Sequence, residues 1–399
     1  MKKFFRQLAV IFPLLLVYAG MFFYNIDYQI NNKLKLLAFV YMVAYVLIRL
    51  KWNKNLWWAF LVFVPFFVHA WRISFDSRAA LEDGVRYLFP VVVLFYSYAV
   101  RKHLDVLVKF WAIFIVLNFF TQLRNYYFWL QGADQWFYYK TVRGVRYYNA
   151  TMGILRGTGL VTDFDLFGFM NLIGFIVIKN YYKGKWKRAI LTMAALGIIM
   201  SLSYKIIGAA LILLIVDNIK KLHKTLALLL LGLIGFSMAF PRTVNEIKHQ
   251  LQLRVEDYIT RGHSARADSY IVMYRQIKKG NLFGTGIGTF GGPASTKYRS
   301  PYYEKFGFNW YGIHYITTTD TYPPHPFVEL GLLGALWYFF VITVPLFRRR
   351  LPKTVLYIYF VLFVDMLFTF SLNNLAFLLA SLIFVYPIIY YHERHFRTY

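Results

Sequence analysis

TYPPHPFVELGLLGALWYFF, residues 321–340, decides how this chain is read. Three prolines crowd one histidine, and the stretch then runs straight into apolar residues that continue to about 347. A helix that crosses a bilayer needs about 20 such residues. Comparable runs recur near 8–24, 34–48, 56–71, 87–100, 106–123, 159–178, 189–203, 205–217, 224–240, 354–371 and 375–390. Lipid offers backbone groups no hydrogen-bond partner, and these runs are too long and too continuous for barrel strands. They predict an all-α polytopic membrane protein of about twelve transmembrane helices.

Composition agrees. With 59% hydrophobic and only 16% charged residues over 399 positions, there is too little polar surface to cover a soluble globule. The formal charge of +27 does not mark a nucleic-acid binder, because the basic residues sit largely in short loops. If the N-terminus is cytoplasmic, every second loop should be basic. Arg49/Lys51/Lys54, Arg101/Lys102, Lys179 to Arg188, Lys220/Lys221/Lys224, Arg348 to Lys353 and Arg394/Arg397 meet that expectation. Both termini are then cytoplasmic, and 71–86, 124–158 and 241–325 face outward. The resulting division is 1–240 with helices one to nine, 241–325 as a large extracytoplasmic loop, and 326–399 with helices ten to twelve. The first run lacks a cleavage site and reads as an uncleaved helix. The absence of cysteine excludes disulfides, thiol catalysis and cysteine-bound metals. No repeat of two six-helix halves is apparent, which disfavours transporter folds built that way.

The large loop is longer than a connector needs to be. NEIKHQLQLRVEDYITR, 245–261, has the spacing of an amphipathic helix, and a second helix is expected over about 266–279. NLFGTGIGTFGG, 281–292, then breaks the helix. It lacks the lysine and hydroxyl ending of a P-loop, so Gly284, Gly286 and Gly288 point to a tight backbone path beside a ligand, or to a simple turn. The loop is basic although it faces outward, which suits anionic lipid headgroups or a phosphate-bearing substrate.

The order of Arg266 on its helix, GTGIGTF at 284–290 and a histidine opening a span as HPFVELGLLGALWYFF resembles the O-antigen ligase and polysaccharide polymerase family of membrane glycosyltransferases. LRGTGLVTDFDLFGF, 155–169, is similar to the family segment in which an arginine and a glycine precede a span. The resemblance implies glycosyl transfer on the outer side of a bacterial cytoplasmic membrane. The donors it implies are isoprenoid-diphosphate-linked oligosaccharides, used without cofactor, nucleotide sugar or metal. By position, Arg266 matches the family's diphosphate-binding arginine and His325 its catalytic histidine. Pro326 stands where the family often has asparagine, and Ser203-Tyr204-Lys205 stands where it has a serine-arginine pair.

Such a reaction needs cations to hold the leaving diphosphate and a base to take the proton of the attacking hydroxyl. Arg266, Arg156 and Lys205 are the expected cations. His325 is the expected base, seated near a helix N-terminus by Pro323, Pro324 and Pro326, with Glu329 one turn on to orient the ring. Asp163 and Asp165, in the sequence DFD, point to different helix faces and suit contacts to acceptor sugar better than a metal. Asp365 lies within a span and should face protein or a water-filled cavity. The aromatic clusters at 125–130, 136–139 and 302–312 suit a membrane interface or sugar stacking.

These features lead to a polymerase that joins lipid-linked repeat units into an exopolysaccharide, capsule or O-antigen by inverting transfer. Its expected partners are the lipid-linked glycans, membrane lipids and other polysaccharide-assembly proteins, with no nucleic acid. Two rivals are a ligase that moves finished glycan to another acceptor and a flippase without chemistry.

Overall fold

The computed structural model describes residues 2–395 apart from 25, 50–51, 133–138, 143–144, 149, 152–153, 222–229, most positions in 232–263, and 309–317. Helices α1 (Lys2–Phe23), α2 (Tyr28–Arg49), α3 (Lys54–Arg72), α4 (Ser77–Ala99) and α5 (Leu104–Leu130) run up and down through short turns. Asn53 and Asp76 start α3 and α4 by accepting the first free amides of each helix on their side-chain oxygens. Two small antiparallel hairpins follow: β1 (Tyr139–Val142) with β2 (Val145–Tyr148), and β3 (Ala150–Thr151) with β4 (Ile154–Leu155). Helices α6 (Phe164–Tyr181), α7 (Lys187–Met200) and α8 (Tyr204–Asp217) resume the bundle.

After residue 263 the chain forms a cap. It comprises α9 (Ala265–Lys278), α10 (Pro293–Lys297) and α11 (Tyr302–Lys305). The cap has its own small core of Ala265, Val272, Phe290, Tyr303, Phe308 and Val328. Helices α12 (Pro324–Glu329), α13 (Gly331–Thr343), α14 (Lys353–Met366), α15 (Leu375–Ser381) and α16 (Val385–His395) complete the described fold.

Among the described residues, five helical segments are long and apolar enough to cross a membrane: Phe4–Phe23, Gln29–Arg49, Leu104–Leu130, Phe164–Tyr181 and Leu375–His395. Other apolar runs fall short for visible reasons. Helices α7, α8 and α14 have 14 residues each, about 21 Å at 1.5 Å per residue, against a hydrocarbon core of about 30 Å. Helix α4 begins at Ser77, ten residues ahead of its apolar run, and carries Arg78, Glu82, Asp83 and Arg86 in those first turns. Most of the segment expected to lie outside at 71–86 is therefore helix. The run at 327–347 is also no single helix, because the chain kinks at Gly331, whose φ is +73°. The run at 224–240 and the amphipathic stretch 245–261 lie largely outside the described residues.

Burial grades across the bundle. The segment Leu375–His395 is 83% buried and Gln29–Arg49 only 17%, so the former is the central post and the latter a peripheral helix. The post breaks where Pro387 cannot donate to the carbonyl of Ile383. Ser97 Oγ takes over by donating to that carbonyl at 2.9 Å, and it accepts from Tyr386 N–H at 3.2 Å.

Alternating helix directions define two ends. At one end Thr162 Oγ1 donates to Met21 O (2.8 Å), Gly157 N–H to Met200 O (2.6 Å) and Tyr322 N–H to Met366 O (3.1 Å). At the other end Asp217 accepts from Lys179, Lys353 and Tyr357.

Candidate functional site

His325 lies at the first of these ends, in the opening turn of α12, and is fully buried. Tyr322 stacks on its ring with centroids 5.9 Å apart, Tyr87 lies against it at 5.0 Å, and Phe370 meets it edge-on at 6.2 Å. One turn along, Glu329 is equally buried, and its Oε2 lies 3.3 Å from His325 Nε2. The carboxylate is held from two sides. Phe290 N–H donates to Oε1 at 2.8 Å and Tyr87 O–H to Oε2 at 3.0 Å.

The opposite flank of the imidazole comes from α4. Asp83 is fully buried, and both its carboxylate and His325 close on Gly292 so tightly that a Cβ there would strike each of them. Arg86 pairs with Asp83 and donates to Glu82 at 2.9 Å, while Lys297 of α10 reaches the other oxygen of Glu82 at 2.8 Å. Asp83, Glu329 and His325 thus form a group of fully buried ionisable side chains, with the guanidinium of Arg86 beside them. The histidine pKa is pushed down to about 3, by burial first and then by the positive charge of Arg86.

A second polar cluster lies at the same end. Lys205 Nζ, at the start of α8, contacts Asp365 at 2.9 Å and Asp165 at 3.4 Å. Ser203 O–H donates to Asp165 at 2.7 Å, and Thr369 O–H to Asp365 at 2.6 Å. Arg156 donates to the carbonyl of Leu202 at 2.9 Å, with its guanidinium over the ring of Phe164. Asp163 caps α6 by accepting from Leu166 N–H at 2.9 Å.

The two clusters adjoin. Lys35 of α2 is close enough to interact electrostatically with both Asp163 and Arg86, and Asp163 does the same with Lys205. Arg266 interacts in this way with Tyr270, whose O–H donates to the carbonyl of Leu367 two residues beyond Asp365. The helix of Arg266 also packs on the turn leading to His325, where Ser269 and Thr321 share a hydrogen bond of 2.8 Å. Every site residue expected from the sequence therefore lies at one end of the bundle.

Three of them have structural duties. Lys205 pairs with two carboxyl groups, Arg156 binds the α7–α8 turn, and Asp163 is a helix cap. The glycine run packs against protein backbone. Thr285 N–H donates to Val328 O, Gly286 N–H to Glu329 O and Ile287 N–H to Ala70 O. A side chain at Gly284 would collide with the backbone of Glu329, and one at Gly288 with that of Ala79, 2.8 Å away. The run is thus a strap that seats Glu329 against α3 and α4.

Asp83 and Arg86 were not singled out in the sequence. Their signal was an ionic pair at i,i+3 just ahead of an apolar run, a position where charges are retained only when partnered.

Asp83, His325 and Glu329 each bring a donor atom within 4.8 Å of the others, the one such set among the described residues. An imidazole with two carboxylates is a donor set that suits a divalent cation. Here Arg86 already provides the charge on Asp83, and Glu329 already accepts from Phe290 and Tyr87. The set thus holds the imidazole between two carboxyl groups that are each fixed by other partners.

Comparisons with protein-family models, with curated proteins and with solved structures returned no match.

Proposed function

We propose that the chain is a multi-pass membrane glycosyltransferase of about twelve spans that joins lipid-diphosphate-linked oligosaccharides at its extracytoplasmic face. The observation that carries this reading is the buried imidazole between Asp83 and Glu329, set at the end of the bundle where Arg266, Arg86 and Lys35 gather. The resemblance in the order of Arg266, the glycine run and His325 supplies the reaction class.

In this reading the neutral imidazole keeps its proton on Nε2, 3.3 Å from Glu329 Oε2, and Nδ1 is the basic nitrogen. An acceptor hydroxyl gives its proton to Nδ1 as its oxygen bonds the anomeric carbon of the donor. The bond from that carbon to the diphosphate oxygen breaks, and the lipid diphosphate departs as an anion. Arg266 stabilises that anion, and Glu329 stabilises the imidazolium that forms. Direct displacement inverts the anomeric centre. Of the three rings over His325, only Phe370 is not fully buried, so the acceptor reaches the imidazole by displacing it.

The test is reconstitution of purified protein with a synthetic isoprenoid-diphosphate oligosaccharide. Longer glycans should form without added nucleotide and after chelation of metal. The variant His325→Ala should lose about 100-fold or more in turnover while remaining folded. Undiminished polymer from that variant removes His325 as the base. Transfer only to a different acceptor makes the protein a ligase.

A further inference from the structure

The end of the bundle opposite His325 contains a cavity of about 1000 Å³ between α5, α7 and α16. We propose that it is a built site for an anionic phospholipid. The inference is independent of the transfer reaction and rests on how the lining is ordered.

Charge is confined to the mouth. Arg101, Lys102, Lys109, Lys183 and Arg394 line it, against one acid, Asp105. The mouth is also ringed by aromatics, among them Trp186, Tyr182 and Tyr390, which is the composition of a headgroup layer. Arg101 is held in place by stacking over Tyr98 and Tyr390. Deeper in, the floor becomes wholly apolar, with Ala112, Ile113, Val116 and Leu117 on α5 facing Ile190 and Met193 on α7. The apolar α5 floor from Ala112 to Leu117 spans about 8 Å at 1.5 Å per residue, with Lys109 one turn nearer the mouth. Half of a hydrocarbon core is about 15 Å, so the floor lies alongside about half of the acyl region of one leaflet.

Ile113 and Leu117 are 62% and 51% exposed, and Trp186 is 63% exposed. These are apolar surfaces that water would not leave bare in a soluble protein. A zwitterionic lipid fits the floor but leaves the cationic mouth unbalanced. A phosphate-bearing headgroup with net negative charge satisfies both.

Native mass spectrometry of the full-length protein in neutral detergent, offered equal phosphatidylglycerol and phosphatidylcholine, tests the proposal. One phosphatidylglycerol should be retained in preference. Its retention should fall by about tenfold or more in Lys109→Glu/Lys183→Glu and persist in Lys109→Arg/Lys183→Arg. Val116→Trp, which fills the floor and leaves every charge in place, should displace it as well. Variants are compared only if they elute and unfold like the parent, and the arginine pair keeps the test open if the glutamate pair does not fold. Equal retention of the two lipids overturns the proposal. So does undiminished phosphatidylglycerol in Val116→Trp, which would reduce the effect to general attraction at a basic surface.

Discussion

His325 is neutral because the pocket is dry and Arg86 is near, and this has a consequence for acid stability. Its pKa in the folded state, about 3, lies below the ordinary value of 6.5. Between these values the unfolded chain holds a proton that the folded chain excludes, so this residue makes stability rise with pH across that window. The stability of the parent relative to His325→Gln, measured by thermal unfolding in detergent, should therefore fall by roughly 1.7 kcal/mol from pH 6.5 to pH 5. The groups facing the ring are Asp83 and Arg86 from α4, Glu329 from its own helix and the hydroxyls of Tyr87 and Tyr322. All of them remain in that variant, so the comparison isolates the imidazole. Lys205 is a different case. Replacing it with Met strands Asp365, which is fully buried, and should cost about 3–5 kcal/mol. Restoring most of that loss with Asp365→Asn would show that the charge, and not the packing of the stem, was responsible. An additive loss in the double variant would count against the ion pair.

At the scale of elements, the glycine strap is what turns two distant segments into one site. It lies between the turn after α3, the first turn of α4 and the kink at Gly331, and its amides carry Glu329. Gly284 and Gly280 separate the two reasons for a glycine there. Both have positive φ, but a Cβ at Gly280 meets open space, whereas at Gly284 it meets the Glu329 backbone. Gly280→Ala should cost about 1–2 kcal/mol of backbone strain. Gly284→Ala should cost clearly more and also abolish transfer. Equal melting temperatures for the two variants would mean that the strap does not bear on Glu329. The first turns of α4 are the other element that matters, since they hold Asp83 and Arg86 in place of the outward loop expected there.

For the whole molecule, the alternation of basic loops makes a sidedness prediction that the lack of cysteine makes easy to read. A single cysteine introduced as Lys305→Cys in the cap should react with an impermeant maleimide on intact cells. Arg350→Cys, at the opposite end, should react only after permeabilisation. Labelling of both from outside would invert or break the proposed topology. The same experiment assigns the lipid groove to the cytoplasmic leaflet and the His325 pocket to the outer one.

Helices and their order were legible because apolar content is a property of the local chain, and lipid or a packed core selects for it directly. The doorstep at His325 was legible too, since three prolines and an acid at i+4 are local signals. The sequence by itself thus determined a helical, membrane-suited chain with a rigidly approached histidine. Only the tertiary structure decided which charges meet. Tyr87 and Glu329 are 242 residues apart, and Lys205 finds its two carboxylates on α6 and α14. Such pairings depend on close approach in a dry interior, where an unpartnered charge is too costly to persist, and no spacing along the chain encodes them.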